Sequence, residues 1–312
     1  MICITGPTAV GKSEVADGIA ARLGTSVVSV DSMQVYRGMD IGTAKMPERD
    51  RTVPLLMTDV CDVTEDYSVS RFQSEARRCA DSLLARGEIP VLCGGTGLYL
   101  DAVIEDMSFT SGRLGSETRR KYERIAETEG PGVLHSLLAK RDPSSAVLIH
   151  PNNVRRVIRA LEMLDEGRSY SEQHVSGDSR RPYYEASIWC LTMSRDRLCE
   201  RIDARVDAMI DAGLIDEVRQ LCAVGLLGST TAGNAIGYKE LIPYLAGDVG
   251  LAEAVTSIKT NSRRYAKRQM TWVRRNPDVK EIDMDTFDTA SAIERVLEFE
   301  SDRVGEKGAS HV

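Results

Sequence analysis

Four short apolar runs along the chain have the composition of buried β-strands. They are ICITG (2–6), VVSVD (27–31), IPVLCGG (89–95) and SIWCLTM (187–193). Between them lie segments whose apolar residues have helical spacing, such as KSEVADGIAARLG, which we expect to end at Gly24. This alternation predicts an α/β fold with a parallel sheet covered on both faces. Ligands of such sheets bind beyond the carboxyl ends of the strands, where Gly6, Asp31, Gly94 and Gly95 fall.

The pattern changes in the middle of the chain, where polar helical sequence lies between two loop-like stretches, SFTSGRLGSE and SGDSRRPYY. We interpret residues 108–185 as a helical insertion domain within a catalytic core made of residues 1–107 and 186–290. Helices are expected from residue 194 to about 275, the first over residues 194–218. The acidic segment 291–312 is expected to be a partly disordered tail.

The composition is that of a globular protein, with 42% hydrophobic and 28% charged residues among 312. No apolar stretch is long enough to predict a membrane span. The phosphate-binding motif begins at Gly6, so no leader peptide is expected. The seven cysteines are scattered without a C-x-x-C pair, which favours reduced thiols and a cytoplasmic location over zinc or disulfides. We expect a monomer without an obligatory protein partner.

The net charge of −7 argues against a nucleic-acid partner, but the charge is unevenly distributed. Residues 259–275, KTNSRRYAKRQMTWVRR, contain seven basic residues and no acidic one. Tyr265 and Trp272 are spaced for one face of this predicted helix. Basic and aromatic residues in this arrangement are typical of phosphate contact with base stacking. The alternative is a solvated helix whose aromatic side chains lie in the core.

The strongest local motif is GPTAVGKS, which fits the phosphate-loop pattern G-x-x-x-x-G-K-[ST] between a predicted strand and helix. Its residues are Gly6, Pro7, Thr8, Ala9, Val10, Gly11, Lys12 and Ser13. Backbone amides and the helix N-terminus are expected to hold phosphate oxygens, with Lys12 adding positive charge. Ser13 is placed to bind Mg²⁺ that bridges two phosphates. The loop alone does not decide which phosphorylated molecule binds.

Asp31 follows the second predicted strand, so its carboxylate is expected to face the same crevice as the phosphate loop. It could act as a base, hold Mg²⁺ through water, or simply cap the strand. The following YRGMDIGTAK, with Arg37 and Lys45, is interpreted as a flexible basic loop suited to a large anionic substrate. Thr96 in GGTGLYL marks either a close backbone approach to substrate or a tight turn.

Three arginines recur at helical spacing beside the apolar face of residues 194–218. Arg197, Arg201 and Arg205 would be solvated or paired with aspartates, or one of them would point at a phosphate. The sequence leaves both interpretations open.

These segments together resemble the tRNA dimethylallyltransferase family (tRNA isopentenyltransferases or IPP transferases), in its bacterial form. The resemblance is carried, in family order over residues 1 to about 275, by GPTAVGKS, DSMQVYRGMDIGTAK, GGTGLYL, HPNNVRRVIRALE, R-x-x-x-R-x-x-x-M-x-x-x-GLIDEV, AIGYKE and YAKRQMTWVRR. Many relatives read HPND where this chain has Asn153. Eukaryotic members often carry a C-terminal zinc finger, whereas only His311 among potential ligands of this kind lies beyond Cys222.

The resemblance implies a fold like that of P-loop nucleoside-triphosphate hydrolases, with the pyrophosphate of dimethylallyl diphosphate in the phosphate loop. It implies transfer of the dimethylallyl group to N6 of adenosine-37, 3′-adjacent to the anticodon, in tRNAs reading codons that begin with U. The products would be N6-isopentenyladenosine and diphosphate. By this analogy Asp31 takes the N6 proton, Thr8, Lys12 and Arg205 stabilise the pyrophosphate, and Ser13 holds Mg²⁺.

The resemblance also implies a set of tRNA contacts, with the insertion domain holding the anticodon stem-loop. The matching residues are Asp31, Ser32, Met33, Gln34, Thr96, Arg155, Arg156, Arg159, Asn234, Ala235, Ile236, Gly237, Tyr238, Lys239, Lys267, Arg268, Gln269, Trp272 and Arg274.

Three other functions fit parts of the sequence. A small-molecule kinase would bind ATP in the phosphate loop and use Asp31 as its base, but it leaves the basic helix unexplained. An adenylate isopentenyltransferase acting on free AMP or ADP would not need the tRNA-binding segments. A non-catalytic RNA-binding protein would not need the phosphate loop.

Overall fold

A computed structural model describes residues 1–109, 116–172 and 181–309. Six parallel strands form one sheet in the order β3-β2-β4-β1-β5-β6. The strands are β1 (Ile2–Thr5), β2 (Val27–Ser29), β3 (Leu55–Leu56), β4 (Val91–Cys93), β5 (Ser187–Thr192) and β6 (Lys280–Asp283). The predicted α/β fold and its four strands are confirmed. The edge strands β3 and β6 were not predicted. Strand β3 is only two residues long, and β6, KEID, buries only Ile282.

Twelve α-helices lie in the described part of the chain. They are α1 (Lys12–Leu23), α2 (Val69–Ala85), α3 (Gly97–Ile104), α4 (Glu117–Thr128), α5 (Pro131–Arg141), α6 (Pro143–Leu148), α7 (Val154–Asp165), α8 (Arg195–Asp211), α9 (Leu214–Ala223), α10 (Tyr238–Ala246), α11 (Leu251–Val273) and α12 (Thr289–Ala309). The single helix expected over 194–218 is broken at Gly213, whose φ of 98° interrupts the helix. None of the helices described is long and apolar enough to cross a bilayer.

Alternation along the buried strands supplies two cores, one on each face of the sheet. Val28 and Leu92 point into the core shared with α2, α3 and α9 to α11, whereas Val27 and Val91 point into the core shared with α1 and α12. Successive strand residues face opposite sides, so a strand buried on both faces is a continuous apolar run.

The chain divides into two compact units, Met1–Ile104 with Pro182–Val312, and Glu105–Arg181. The insertion thus begins at residue 105 rather than 108 and ends at 181 rather than 185. It contains α4 to α7 around an apolar core that includes Tyr122, Leu134 and Leu161. Of the predicted insertion, residues 110–115 and 173–180 lie outside the described residues.

The segment predicted to be a partly disordered tail, 291–312, differs from that expectation. Thr289–Ala309 form α12, and Ala292 and Val296 are buried in the core shared with α1. The segment is acidic overall, but its apolar residues recur at helical spacing and bury one face of the helix. Residues 310–312 lie outside the described residues.

Candidate active site

The phosphate loop joins β1 to the N-terminus of α1, and its backbone requires glycine. Gly6 has φ 139°, and a Cβ there would lie 2.4 Å from the carbonyl oxygen of Leu191. Gly11 precedes α1 with φ 105°, and no side chain caps this helix. The first amides of α1 therefore remain available to an anion. Lys12 donates from Nζ to the Pro7 carbonyl at 2.7 Å, and burial lowers its pKa to about 8.

Of the three arginines on α8 that the sequence analysis singles out, two reach the phosphate loop. Arg201 donates from Nε to the Ala9 carbonyl at 2.8 Å. Arg205 donates to the Thr8 hydroxyl at 3.2 Å, and burial lowers the pKa of its guanidinium. Arg197 instead pairs with Asp285 at 2.9 Å. The helical spacing thus places two positive charges, Arg201 and Arg205, at the phosphate loop.

Gln269 on α11, one of the predicted tRNA contacts, supports the phosphate loop. Its Oε1 accepts from the Thr8 backbone amide at 2.8 Å, and its Nε2 donates to the Gly95 carbonyl at 3.1 Å. The side chain is buried, with both polar atoms engaged. The tRNA contact at Gln269 stays a prediction, since each end of the amide already makes one bond within the protein.

Asp31 is fixed in a short turn after β2. Its Oδ1 accepts from the backbone amides of Met33 at 2.8 Å and Gln34 at 3.4 Å. The Ser32 amide donates to Oγ1 of Thr96 at 3.2 Å, so Thr96 holds the same turn. Among the hydrogen bonds of the described residues, none involves Oδ2 of Asp31, which leaves that oxygen as an acceptor for substrate.

The Gln34 side chain links this turn to the following loop. Its Oε1 accepts from the Ser29 hydroxyl at 2.8 Å, and its Nε2 donates to the Thr43 carbonyl at 3.2 Å. The predicted RNA contact at Gln34 therefore has its amide engaged within the protein.

The loop that follows differs from the predicted flexible, basic loop. Arg37 pairs with Asp62 at 2.8 Å. Lys45 is buried and bonds Asp40 at 2.5 Å and Asp59 at 2.7 Å. Both cations are paired with carboxylates, and Lys45 is also buried, so the predicted basic charge of this loop is balanced within the protein.

In the described part of the chain, three cavities adjoin the phosphate loop. The inner cavity, about 80 Å³, is lined by Lys12, Ser13 and Gln269 among others. The outer cavity, about 250 Å³, is lined by Met33, Asn234 and Arg268 among others. A more open surface cleft of about 420 Å³ is lined by Gly11, Lys12, Ser13 and Arg201 among others. The inner and outer cavities share Thr8, Asp31, Thr43, Ala44, Arg205 and Tyr265.

Most of segment 234–239 forms one wall of the outer cavity. Its lining residues are Asn234, Ala235, Ile236, Gly237 and Lys239, of which Asn234 and Lys239 are exposed. Tyr238 is fully buried, and its hydroxyl donates to Glu217 at 2.6 Å. The predicted tRNA contact at Tyr238 therefore conflicts with the structure. Sequence reasoning gave no role to Glu217, whose only signal was its place in the GLIDEV motif.

On the basic helix α11 the cations are exposed, whereas the tryptophan packs against the protein. Lys267, Arg268 and Arg274 are exposed, and Arg268 lies 5.5 Å from the centre of the Tyr265 ring. Burial raises the pKa of Tyr265 to about 12. Trp272 donates from Nε1 to Asp101 at 2.9 Å, and a Cβ at residue 97 would meet its ring. Trp272 thus packs against α3, which supports the core interpretation over base stacking.

In the insertion unit, α7 carries the predicted arginines. Arg155 and Arg156 are exposed, whereas Arg159 forms an ion pair with Glu162 at 3.5 Å. The Asn153 side chain caps this helix by accepting from the Arg156 amide at 3.4 Å. Asn and Asp are comparable N-caps, so the departure from HPND preserves the helix end.

Comparison with known proteins decides which family this loop and these cavities belong to. A family model for IPP transferase matches residues 34–276, and one for isopentenyl transferase matches residues 1–51. The chain belongs to the IPP transferase family. It is 43% identical to the tRNA dimethylallyltransferase of Carboxydothermus hydrogenoformans, covering 95% of this chain and 96% of the relative.

Solved structures of IPP transferases share the fold. The full-length tRNA isopentenylpyrophosphate transferase of Bacillus halodurans matches with a TM-score of 0.73 and 42% identity, covering 99% of this chain and 97% of that one. A eukaryotic dimethylallyltransferase, solved acting on tRNA, matches with a TM-score of 0.82 and 30% identity. That alignment covers 98% of this chain and 79% of the eukaryotic one. These comparisons give no support to the kinase interpretation.

Proposed function

We propose that the protein transfers the dimethylallyl group of dimethylallyl diphosphate to N6 of adenosine-37, 3′-adjacent to the anticodon, in tRNAs that read codons beginning with U. The products are N6-isopentenyladenosine and diphosphate. The observation that carries the proposal is that Asp31 lines both the inner and the outer cavity beside the phosphate loop. A diphosphate in the loop and a base in the outer cavity would meet at its carboxylate. The names of the relatives support tRNA as the substrate.

The chemistry needs a base because the N6 lone pair is delocalised into the adenine ring. Asp31 has one carboxylate oxygen engaged by turn amides and the other available to accept from N6–H. As N6 forms a bond to C1 of the dimethylallyl group, the C1–O bond breaks and its electrons leave with the diphosphate. The N6 proton passes to Asp31.

The leaving diphosphate gains negative charge at the oxygen that was bonded to C1. Thr8, Lys12 and Arg205 line the inner cavity, where they supply a hydroxyl and two cations. Burial lowers the pKa values of Lys12 and Arg205 because it disfavours their charged forms. The negative charge of a bound anion would favour those forms and raise the pKa values again. This arrangement supports electrostatic stabilisation of the transition state.

We propose that Ser13 holds Mg²⁺ on the diphosphate. Ser13 lies in the first turn of α1 and lines both the inner cavity and the surface cleft. The described residues contain no cluster of three acidic, histidine or cysteine ligands. A hydroxyl with substrate oxygens and water suits Mg²⁺, which seldom uses all-protein cages. When bound, the ion would neutralise charge on the departing diphosphate.

The adenosine must leave its stack in the anticodon loop to reach an enclosed base. Exposed residues beside the outer cavity support RNA contact, among them Asn234, Lys239 and Arg268. Lys267 and Arg274 add exposed positive charge on α11, and Arg155 and Arg156 do so on the insertion unit. A cytoplasmic, monomeric enzyme without an obligatory protein partner remains our expectation.

The test uses the purified protein, Mg²⁺ and a tRNA transcript whose anticodon-adjacent adenosine is unmodified. One reaction contains labelled dimethylallyl diphosphate, and a parallel reaction contains labelled ATP. We expect prenyl label on the tRNA and unconsumed ATP. Replacing the adenosine by guanosine, which lacks the N6 amine, should abolish the incorporation. ATP turnover without prenylated tRNA would overturn the proposal.

A further inference from the structure

Glu217 on α9 lies outside the three cavities, yet four donors converge on its carboxylate. Its Oε2 accepts from the backbone amides of Asp40 at 3.1 Å and Ile41 at 2.8 Å. Its Oε1 accepts from the Gly42 amide at 3.1 Å and from the Tyr238 hydroxyl at 2.6 Å. Three consecutive amides and a phenol thus bind one ionised side chain. Hydrogen bonds to a charged acceptor are stronger than neutral ones, so this contact fixes the groups that make it.

The donors come from two segments that form walls of the outer cavity. Thr43 and Ala44 follow the three amides and line the outer and inner cavities. Tyr238 belongs to the segment whose other residues, 234–237 and 239, line the outer cavity. The segments also touch directly, because a Cβ at Gly42 would lie 2.5 Å from the Tyr238 ring. Glu217 therefore bonds to both walls of the outer cavity without lining the cavity itself.

The same loop is connected to the base. The Thr43 carbonyl accepts from Gln34, whose backbone amide donates to Asp31. The phosphate loop has separate supports, Gln269 and Arg201. A shift of loop 40–44 would therefore change the outer cavity and the surroundings of Asp31, whereas the phosphate loop would keep its own supports.

We propose that Glu217 is a positioning residue that sets the shape of the outer cavity, in which the target nucleobase is presented to Asp31. The inference rests on the proposed function and deepens it, since it names a residue that shapes the part of the site where the nucleobase would bind. Glu217 touches neither substrate. It acts through loop 40–44 and segment 234–239.

The conservative variant Glu217→Gln is informative because an amide cannot replace the carboxylate here. Glutamine offers one acceptor oxygen, and its amide nitrogen would face donors on the other side. At least one backbone N–H would lose its partner. Gly42→Ala perturbs the same contact from the opposite side, by pushing against Tyr238. Asp216→Asn is the matched control, since Asp216 is an exposed neighbour on the same helix, paired with Arg219.

The experiment measures steady-state prenyl transfer with each substrate varied in turn, together with thermal melting. For Glu217→Gln and Gly42→Ala we expect kcat/KM for tRNA to fall about 10- to 100-fold, the effect of a small misplacement of reacting groups. The KM for dimethylallyl diphosphate should keep its wild-type value. Asp216→Asn should match the wild type in both. Hydrogen exchange should rise at the amides of residues 40–42 in Glu217→Gln.

Two results would overturn the inference. One is a lower melting temperature with both substrate constants unchanged, which would make Glu217 a residue of stability alone. The other is an equal loss for both substrates. The proposed function is judged separately, on the wild type, and fails if no label reaches tRNA. The variants would then be judged on hydrogen exchange and on their affinity for an anticodon stem-loop RNA. That affinity must be lower than the wild type's for the inference to stand.

Discussion

Replacing Asp31 by asparagine removes the charge of the base while keeping the hydrogen bonds that hold the residue in its turn. Asparagine has the same shape, and its Oδ1 can still accept from the Met33 and Gln34 amides now bonded at 2.8 and 3.4 Å. The turn after β2 should therefore persist. What disappears is the carboxylate that takes the N6 proton. General-base catalysis contributes roughly 10²- to 10⁴-fold, so kcat should fall by that factor, or about 3–5 kcal/mol in the barrier.

The binding steps should respond in the opposite direction. Asp31 raises the pKa values of Lys12 and Arg205 through its negative charge, although burial dominates both shifts. Without that charge the phosphate loop becomes more positive in net terms. The KM for dimethylallyl diphosphate should stay the same or decrease, and affinity for tRNA should not fall. A low kcat with preserved binding is the signature of a lost base.

The assay is single-turnover transfer of labelled dimethylallyl to an unmodified tRNA transcript, with filter binding for tRNA affinity. Asp17→Asn is a matched control, because Asp17 also lines the inner cavity but both its oxygens accept from the Thr52 amide at 3.0 Å. That variant should lose stability and keep a kcat close to wild type. A loss of tRNA affinity equal to the loss of rate, or Asp31→Asn with a wild-type rate, would refute the reasoning.

Further predictions concern the loop support, the metal and the cysteines. Gln269→Ala should raise the KM for dimethylallyl diphosphate about tenfold, because the Thr8 amide loses its partner, while the Kd for tRNA in filter binding is unchanged. Chelation by EDTA should abolish transfer, added Mg²⁺ should restore it, and tRNA binding should persist in both states. Mass spectrometry after brief alkylation at pH 8 should find half-buried Cys199 modified before Cys93 and Cys190, since burial raises the pKa of each of the latter thiols to about 12. Early modification of Cys93 would contradict that reasoning.

The sequence determined the features that depend on local order. The buried runs predicted four strands because a strand covered on both faces must be apolar throughout. The phosphate loop was recognisable because glycine is needed where the backbone has positive φ or approaches another chain segment closely, as at Gly6. The motifs, in their order along the chain, also indicated the family.

The tertiary structure decided which polar side chains are available to a substrate. Gln269, Trp272 and Tyr238 lie in motifs that predict tRNA contact, yet their polar atoms bond the phosphate loop, Asp101 and Glu217. Lys45 seemed a free cation in sequence but is buried between two aspartates. Apart from Asp40, which lies five residues from Lys45, these partners come from other segments, so no local pattern records the pairing. Burial and hydrogen bonding are set by the packing of distant segments, which is why only the folded chain separates a binding residue from a supporting one.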